Sequence, residues 1–197
     1  MPPQDREPWI GPFNGRLKSL LSTTGRGMDR AMLSHLRQGL GKPIDATLAE
    51  AGWLFTEVPD RPRQALDNAC LVAGLFGLWH QGRDAVADEA PSNLGASLHA
   101  LAAEERRRTG RGPDEPVDTA ERRLTSLLRS HRDDLPGHLR QTVSLLKSRG
   151  VAIHWHRLLH DLMAWDHPDR YVQRNWARAY WTPNPAENPT ATSDEAA

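Results

Sequence analysis

The stretch QALDNACLVAGLFGLWH, residues 64–80, decides how this chain folds, because it is apolar on nearly every side when wound as an α-helix. A helix without a broad polar face is stable only when other elements cover it. The flanking sequence repeats apolar residues at helical spacing, and strand-like alternation is nearly absent. We therefore predict a central helix surrounded by further helices.

The ends of the surrounding helices are predicted from capping residues and glycines. Either Ser92 or Asn93 can cap one helix, Asp118 with Glu121 resembles a capping box, and Gly150 can end another helix. The predicted fold is all-α, with two small helical subdomains packed together and no sheet. The predicted divisions are a flexible N-terminus at 1–8, an N-terminal helical subdomain at 9–104, a charged Gly/Pro loop at 105–118, a C-terminal helical subdomain at 119–181 and a disordered tail at 182–197.

The composition is that of a soluble globular protein. Its 25 Lys and Arg residues are balanced by 25 Asp and Glu residues, so any affinity for nucleic acid must come from local segregation of charge. The single cysteine, Cys70, cannot form an internal disulfide, and its apolar surroundings predict a small buried side chain. The N-terminus lacks a signal pattern, and no apolar run approaches the ~18 residues of a membrane span. These features predict a cytoplasmic protein without a membrane partner.

The segment RYVQRNWARAYW, residues 170–181, shows how the cations are arranged. On a helix it places its arginines in one narrow arc and its apolar residues on the far side. Three other predicted helices divide in the same way. The aligned cations are Arg26, Arg30 and Arg37; Arg122 and Arg129; Arg140 and Lys147; and Arg170, Arg174 and Arg178.

We call each of these rows of aligned cations a stripe. A single stripe is typical of a solvated helix face. Together the stripes leave two interpretations open. If they converge in the fold, they form a surface that binds phosphates without reading bases. If they meet acidic neighbours instead, the protein is a structural helical adaptor.

The histidines of one segment offer a third interpretation. His156 and His160 have the i, i+4 spacing at which two imidazoles can share a metal ion, and His154 lies beside them. The sequence has no HExxH motif and no cysteine partner for such a site. The alternative function is a metal-dependent hydrolase, which the sequence favours less than phosphate binding.

Seven tryptophans are many for a chain of 197 residues. Two of them, Trp9 and Trp181, lie near the ends of the predicted folded region and are candidate interface anchors. The others lie on apolar faces and are predicted to fill the core: Trp53, Trp79, Trp155, Trp165 and Trp176.

The order and spacing of several motifs resemble the CasB family, the small subunit of the type I-E CRISPR Cascade complex. In the second half these are the ERR..LL opening, LPGHLRQTVSLLKSRG, the L..DL.AW helix and the closing W.R.YW. Upstream, RAMLSHLRQGLGKPI, RPRQALDNACLVAGLFGLWH and SNLGASLHALA follow in the family's order. The resemblance covers residues 9–181.

The resemblance implies an all-helical protein that is not an enzyme and has no cofactor, metal site or small-molecule substrate. It implies two copies lying end to end, in contact with the backbone and large subunits of Cascade and with CRISPR RNA and target DNA. The implied role is to stabilise the R-loop in antiviral defence. The predicted nucleic-acid-binding residues, from the stripes and the resemblance together, are Arg30, Arg37, Arg63, Arg122, Arg123, Arg129, Arg132, Arg140, Lys147, Arg170 and Arg174.

Overall fold

The computed structural model describes residues 7–21, 27–82, 91–110 and 118–182. These residues form nine α-helices and one 3₁₀ turn (Gly52–Phe55), with no strand among them, and the all-α prediction is confirmed. The α-helices are α1 (Ile10–Ser19), α2 (Arg30–Gln38), α3 (Ile44–Ala51), α4 (Arg63–His80), α5 (Leu94–Thr109), α6 (Asp118–Arg129), α7 (Leu135–Ser148), α8 (Trp155–Met163) and α9 (Tyr171–Trp181).

The central element is α4, as its all-round apolar sequence predicts. Val72, Leu75 and Phe76 are fully buried, and α2, α7 and α8 all pack against the helix. The backbone of α2 lies against Gly77, where a Cβ atom would collide with the carbonyl oxygen of Leu33. Glycine therefore permits a closer α2–α4 contact than any larger residue would.

The second close helix contact joins α5 to α9. A Cβ atom on Gly95 would collide with the backbone carbonyl of Trp176, so these helices touch backbone to backbone. The buried apolar residues form one continuous cluster from Trp9 to Tyr180. The sequences assigned to the two predicted subdomains thus contribute to the same core.

The predicted loop at 105–118 begins later than expected. Helix α5 continues through Thr109 and ends at Gly110, whose φ of 66° is left-handed. The charged run before Gly110 consists of Glu and Arg, which are good helix formers, and charge alone does not end a helix. Residues 111–117 lie outside the described residues, as do 1–6 of the predicted flexible N-terminus and 183–197 of the predicted tail.

Two predicted helix caps are present. The side chain of Asn93 accepts a hydrogen bond from the backbone N–H of Ala96 at 3.1 Å, at the start of α5. At the other predicted boundary, α7 ends just before Gly150, which has a φ of 74°. These two helix ends were therefore predicted correctly from local residues alone.

The tryptophans divide differently from the prediction. Trp79, Trp155, Trp165 and Trp176 are buried, but Trp53 is 48% exposed, because in the 3₁₀ turn its neighbours Leu54 and Phe55 are the side chains that enter the core. Trp9 is also buried, which corrects its assignment as an interface anchor, whereas Trp181 is 59% exposed.

None of the helices in the described ranges combines the length and the apolar character needed to span a bilayer.

Candidate nucleic-acid interface

The eleven predicted cations lie in different environments, and Arg132 is one that is bonded on several sides within the fold. Its guanidinium forms an ion pair with Asp166 and donates to Asn68 Oδ1 at 3.1 Å and to the Leu162 carbonyl at 2.9 Å. These bonds connect the α6–α7 loop to α4 and to the end of α8. Arg132 is therefore a structural tie, and most of its donors are already used within the fold.

Arg123, Lys147 and Arg63 are among the other predicted cations that have partners within the protein. Arg123 on α6 donates to Gln141 Oε1 on α7, and Lys147 donates to the backbone carbonyl of Leu78 at 3.0 Å. Arg63 Nε lies 3.9 Å from Oδ1 of Asp67, one turn along α4, but the Arg63 side chain is 85% exposed. A weak, exposed pair of this kind leaves the Arg63 guanidinium accessible.

The remaining predicted cations lie at or near the surface. Arg37 on α2 is half-buried. The exposed residues are Arg30 on α2, Arg122 and Arg129 on α6, Arg140 on α7, Arg170 before α9, and Arg174 on α9.

Four of the predicted residues come together where the end of α6 meets the start of α9. Arg129, Arg132 and Arg170 line one open depression, and Arg170 and Arg174 line the next. Pro168 and Gln173 line both depressions, so the two adjoin. We call these four arginines the α6–α9 patch: Arg129, Arg132, Arg170 and Arg174.

The backbone of Arg170 explains how α6 and α9 are held at the patch. Arg170 has a left-handed φ of 48°, a conformation that is unfavourable for residues other than glycine by ~1–2 kcal/mol. Its guanidinium donates to the carbonyl of Leu128 in the last turn of α6 at 2.5 Å. A cation beside the free carbonyls of a helix C-terminus is electrostatically favourable, and this contact compensates for the backbone conformation.

The patch has more positive than negative side chains. The acids that line the two depressions are Asp166, which is paired with Arg132, and Asp169, which lies near His167. Arg129 and Arg174 are both exposed at opposite ends of the patch. The geometry suits an extended anion that passes from α6 to α9.

The other predicted cations do not line these depressions. Arg30 and Arg37 are on α2, Arg122 and Arg123 are on the earlier turns of α6, and Arg140 is on α7. The fold thus joins the α6 and α9 stripes at one place. A continuous track through all four stripes stays a prediction.

The histidine cluster lies on α8, which packs against α1. The ring centroids of His156 and His160 are 5.2 Å apart, and those of His154 and His156 are 6.3 Å apart. His154 acts as the N-cap of α8, because its Nδ1 accepts from the backbone N–H of Arg157 at 3.2 Å. Within the described residues, no three His, Cys, Asp or Glu side chains are placed to hold a metal ion together.

The environment of these histidines favours their neutral form. Burial lowers the pKa of His154, His156 and His160 below the ordinary value of 6.5, and nearby positive charges such as Arg157 lower each pKa further. At neutral pH the cluster therefore adds little positive charge to the surface. Cys70, the single cysteine of the sequence, is half-buried, and burial raises the pKa of its thiol to about 12, which keeps the thiol protonated at neutral pH.

The buried side of α9 contains a polar contact that the sequence interpretation missed. Asp161 is 3% exposed and accepts hydrogen bonds from Trp176 Nε1 at 2.6 Å and from Arg157 Nε at 2.9 Å. We call these three residues the Asp161 node. The i, i+4 spacing of Arg157 and Asp161 was a usable signal for their pairing, but nothing in the sequence identified Trp176 as the second donor.

Comparison with known proteins gives a consistent set of similarities. The family model described as CRISPR-associated protein Cse2 matches residues 32–181. A curated CRISPR-associated protein Cse2 from Thermus thermophilus is 41% identical over 63 residues. That match covers 32% of this chain and 36% of the relative, so the chain spans about a third of the curated relative's length in the aligned region.

Solved structures extend the similarity over most of the chain. A Cse2-family protein from Thermus thermophilus is 26% identical, with a TM-score of 0.64, covering 92% of this chain and 99% of the other. M. ruber CasB is 27% identical, with a TM-score of 0.59 and coverages of 86% and 92%. A chain of a solved CRISPR RNA-guided surveillance complex is 25% identical, with a TM-score of 0.58 and coverages of 88% and 90%.

Proposed function

Because this chain belongs to the Cse2 family of CRISPR-associated proteins, we propose that it is a non-catalytic small subunit of a type I-E Cascade complex. Its function is to bind nucleic-acid backbone without sequence preference and thereby stabilise the R-loop in antiviral defence. The family resemblance predicted from the sequence is confirmed by the family match. Nucleic-acid binding and its role in the complex are our proposal.

The observation that carries this proposal is the α6–α9 patch. The two stripes meet at one surface, and exposed guanidinium groups lie at both of its ends, on Arg129 and Arg174. Guanidinium groups bind phosphate through paired N–H donors, and phosphate contacts fix a strand in position without reporting its sequence. Such binding fits a subunit of a complex in which guide pairing reads the sequence.

The proposed partners are those of an RNA-guided assembly. They are the backbone and large subunits of Cascade, a second copy of this chain, CRISPR RNA and target DNA, and the assembly acts in the cytoplasm. Similarity to a chain of a CRISPR RNA-guided surveillance complex supports this choice. Two copies end to end would double the number of phosphates within reach and so strengthen binding to one strand.

A second candidate function is a structural adaptor without direct nucleic-acid contact. The observation that favours it is the enclosure of Arg132, Arg123 and Lys147, which all donate to groups within the chain. Those three residues maintain the fold in either case. The two functions differ in the role of the exposed arginines of the patch.

The test reverses the charge at both ends of the patch in the full-length protein. Arg129→Glu combined with Arg174→Glu should weaken binding to single-stranded DNA at low salt by tenfold or more. The slope of log affinity against log salt should become shallower by about 0.7 for each phosphate that the variant no longer binds. Affinity is measured by fluorescence anisotropy over a range of salt concentrations, with circular dichroism to confirm unchanged helix content.

The control is an equal charge change elsewhere on the surface. Lys42 and Arg149 are exposed and lie outside the predicted set, so Lys42→Glu combined with Arg149→Glu should weaken binding much less. Equal losses of affinity in both double variants would mean that only net charge matters, which contradicts a localised site. Unchanged affinity in the patch variant would favour the adaptor.

A further inference from the structure

The exposed face of α9 ends in an aromatic side chain. On a helical wheel Trp181 lies within an arc of about 60° that also contains Arg174 and Arg178. All three residues are exposed, and Trp181 is 59% exposed, the largest exposure of a large apolar side chain among the described residues. A single exposed apolar side chain is ordinary on a protein surface, so the interest of Trp181 lies in the arginines that share its face of the helix.

The indole of Trp181 is held in place from within the chain. Its ring packs edge to face against Tyr180, with centroids 4.8 Å apart and an interplanar angle of 86°. The Tyr180 side chain is buried, and its backbone carbonyl lies 2.9 Å from His99 Nδ1 on α5. The Trp181 indole is therefore supported by α9 and, through Tyr180, by α5, while more than half of the side chain is exposed to solvent.

The charged side chains of α9 itself are all positive, which suits an anionic occupant of its exposed face. Helix α9 contains no acidic residue. Glu121 on α6 and Arg106 and Glu105 on α5 act on the buried Tyr180 side chain, and at the start of the exposed face Asp169 lies beside Arg170. A row of arginines that ends in an aromatic ring matches the combination by which single strands are bound, where cations follow the backbone and a base stacks on the ring.

We propose that Trp181 is a stacking platform for one unpaired base of a nucleic-acid strand whose phosphates follow Arg174 and Arg178. This inference rests on the proposed function and adds an aromatic contact to it. The contact selects single strands over duplex, because a paired base cannot leave its stack without an energetic cost. It accepts any base, since every base has a stacking face.

The test compares Trp181→Ala with the full-length wild-type protein on oligothymidylate of about 15 nucleotides, a length that spans a typical single-strand site. Loss of one stacked base should weaken this binding about tenfold, while binding to duplex DNA of the same length stays unchanged. Trp181→Phe should retain most of the affinity. The matched control is Trp53→Ala, which removes the exposed tryptophan of the 3₁₀ turn and should have no effect.

An abasic oligonucleotide distinguishes stacking from an indirect effect. The wild-type protein should bind it about tenfold more weakly than oligothymidylate, and Trp181→Ala should bind both equally. If Trp181→Ala binds oligothymidylate as the wild type does, while reversal of Arg129 and Arg174 still weakens binding, the platform is refuted and the proposed function stands.

Two further outcomes would also overturn the platform. If the wild-type protein binds none of these oligonucleotides, both the platform and the proposed function fail. If Trp181→Ala leaves DNA binding intact but abolishes co-purification with other Cascade subunits, Trp181 is a protein-interface anchor instead.

Discussion

The two sides of α9 use the same kinds of side chain for opposite purposes. On the buried side, Trp176 donates to Asp161, both side chains are buried, and Asp161 also pairs with the half-buried Arg157. On the exposed side, Arg174, Arg178 and Trp181 point to solvent. An arginine or a tryptophan therefore has no fixed role in this chain. The neighbouring elements decide whether it stabilises the fold or remains available to a partner.

The largest expected effect tests the buried side. Trp176→Ala should reduce the free energy of unfolding by about 3–5 kcal/mol, because it leaves a large cavity and removes a donor from the buried Asp161 carboxylate. Chemical denaturation followed by circular dichroism measures this change. Trp181→Ala should change stability by less than about 0.5 kcal/mol. Similar destabilisation by the two substitutions would contradict the distinction between the two sides.

A smaller effect is expected where an arginine serves as a tie. Arg132→Ala should cost about 1.5–3 kcal/mol, because Asp166, Asn68 and the Leu162 carbonyl are all left without a charged donor. Arg129→Ala, three residues earlier and exposed, should cost less than about 0.5 kcal/mol. Urea denaturation of both variants is the measurement. Equal stability of Arg132→Ala and the wild type would contradict the structural role of Arg132 and favour its predicted role in nucleic-acid binding.

The sequence predicted the fold well because the relevant signals are local. The all-round apolar run at 64–80, the Asn93 cap and the glycine that ends α7 act through nearest neighbours and helical spacing, and the structure has all three where they were expected. The α5 boundary was less clear because Glu and Arg can belong to a loop or to a helix. Only Gly110 distinguished the two.

The candidate site was less predictable because it depends on contacts between distant segments. Arg129 and Arg132 belong to neighbouring stretches of sequence and look alike there, yet one is exposed and the other is bonded to residues 34 and 64 positions away. Trp53 and Trp176 both lie on apolar stretches, yet they differ completely in burial. Tertiary packing decides which side chain has a partner. A helical wheel describes one helix alone and so gives no information about that packing.

The smallest expected effect uses the same contrast on α8, where His156 and His160 are half-buried on the side of α1. Their pKa values are lowered by burial and by nearby cations, so the folded state binds protons less readily than the unfolded state. Stability should therefore fall as the pH decreases below about 6.5, the unfolded value, and the decline should continue through the lowered folded pKa values. Burial raises the pKa of Asp161 above 3.8, so its protonation favours the fold and opposes this decline at lower pH.

Thermal melts between pH 8 and pH 5 measure the histidine effect, since the unfolded imidazole titrates near 6.5 in this range. Replacing His156 and His160 together by Gln should flatten the pH dependence, because glutamine does not titrate. His154 is retained because it caps α8. An equally steep profile in the double variant would contradict this prediction, because groups other than His156 and His160 would then take up the protons. The packing of α8 against α1 would in that case not depend on the protonation of these two imidazoles.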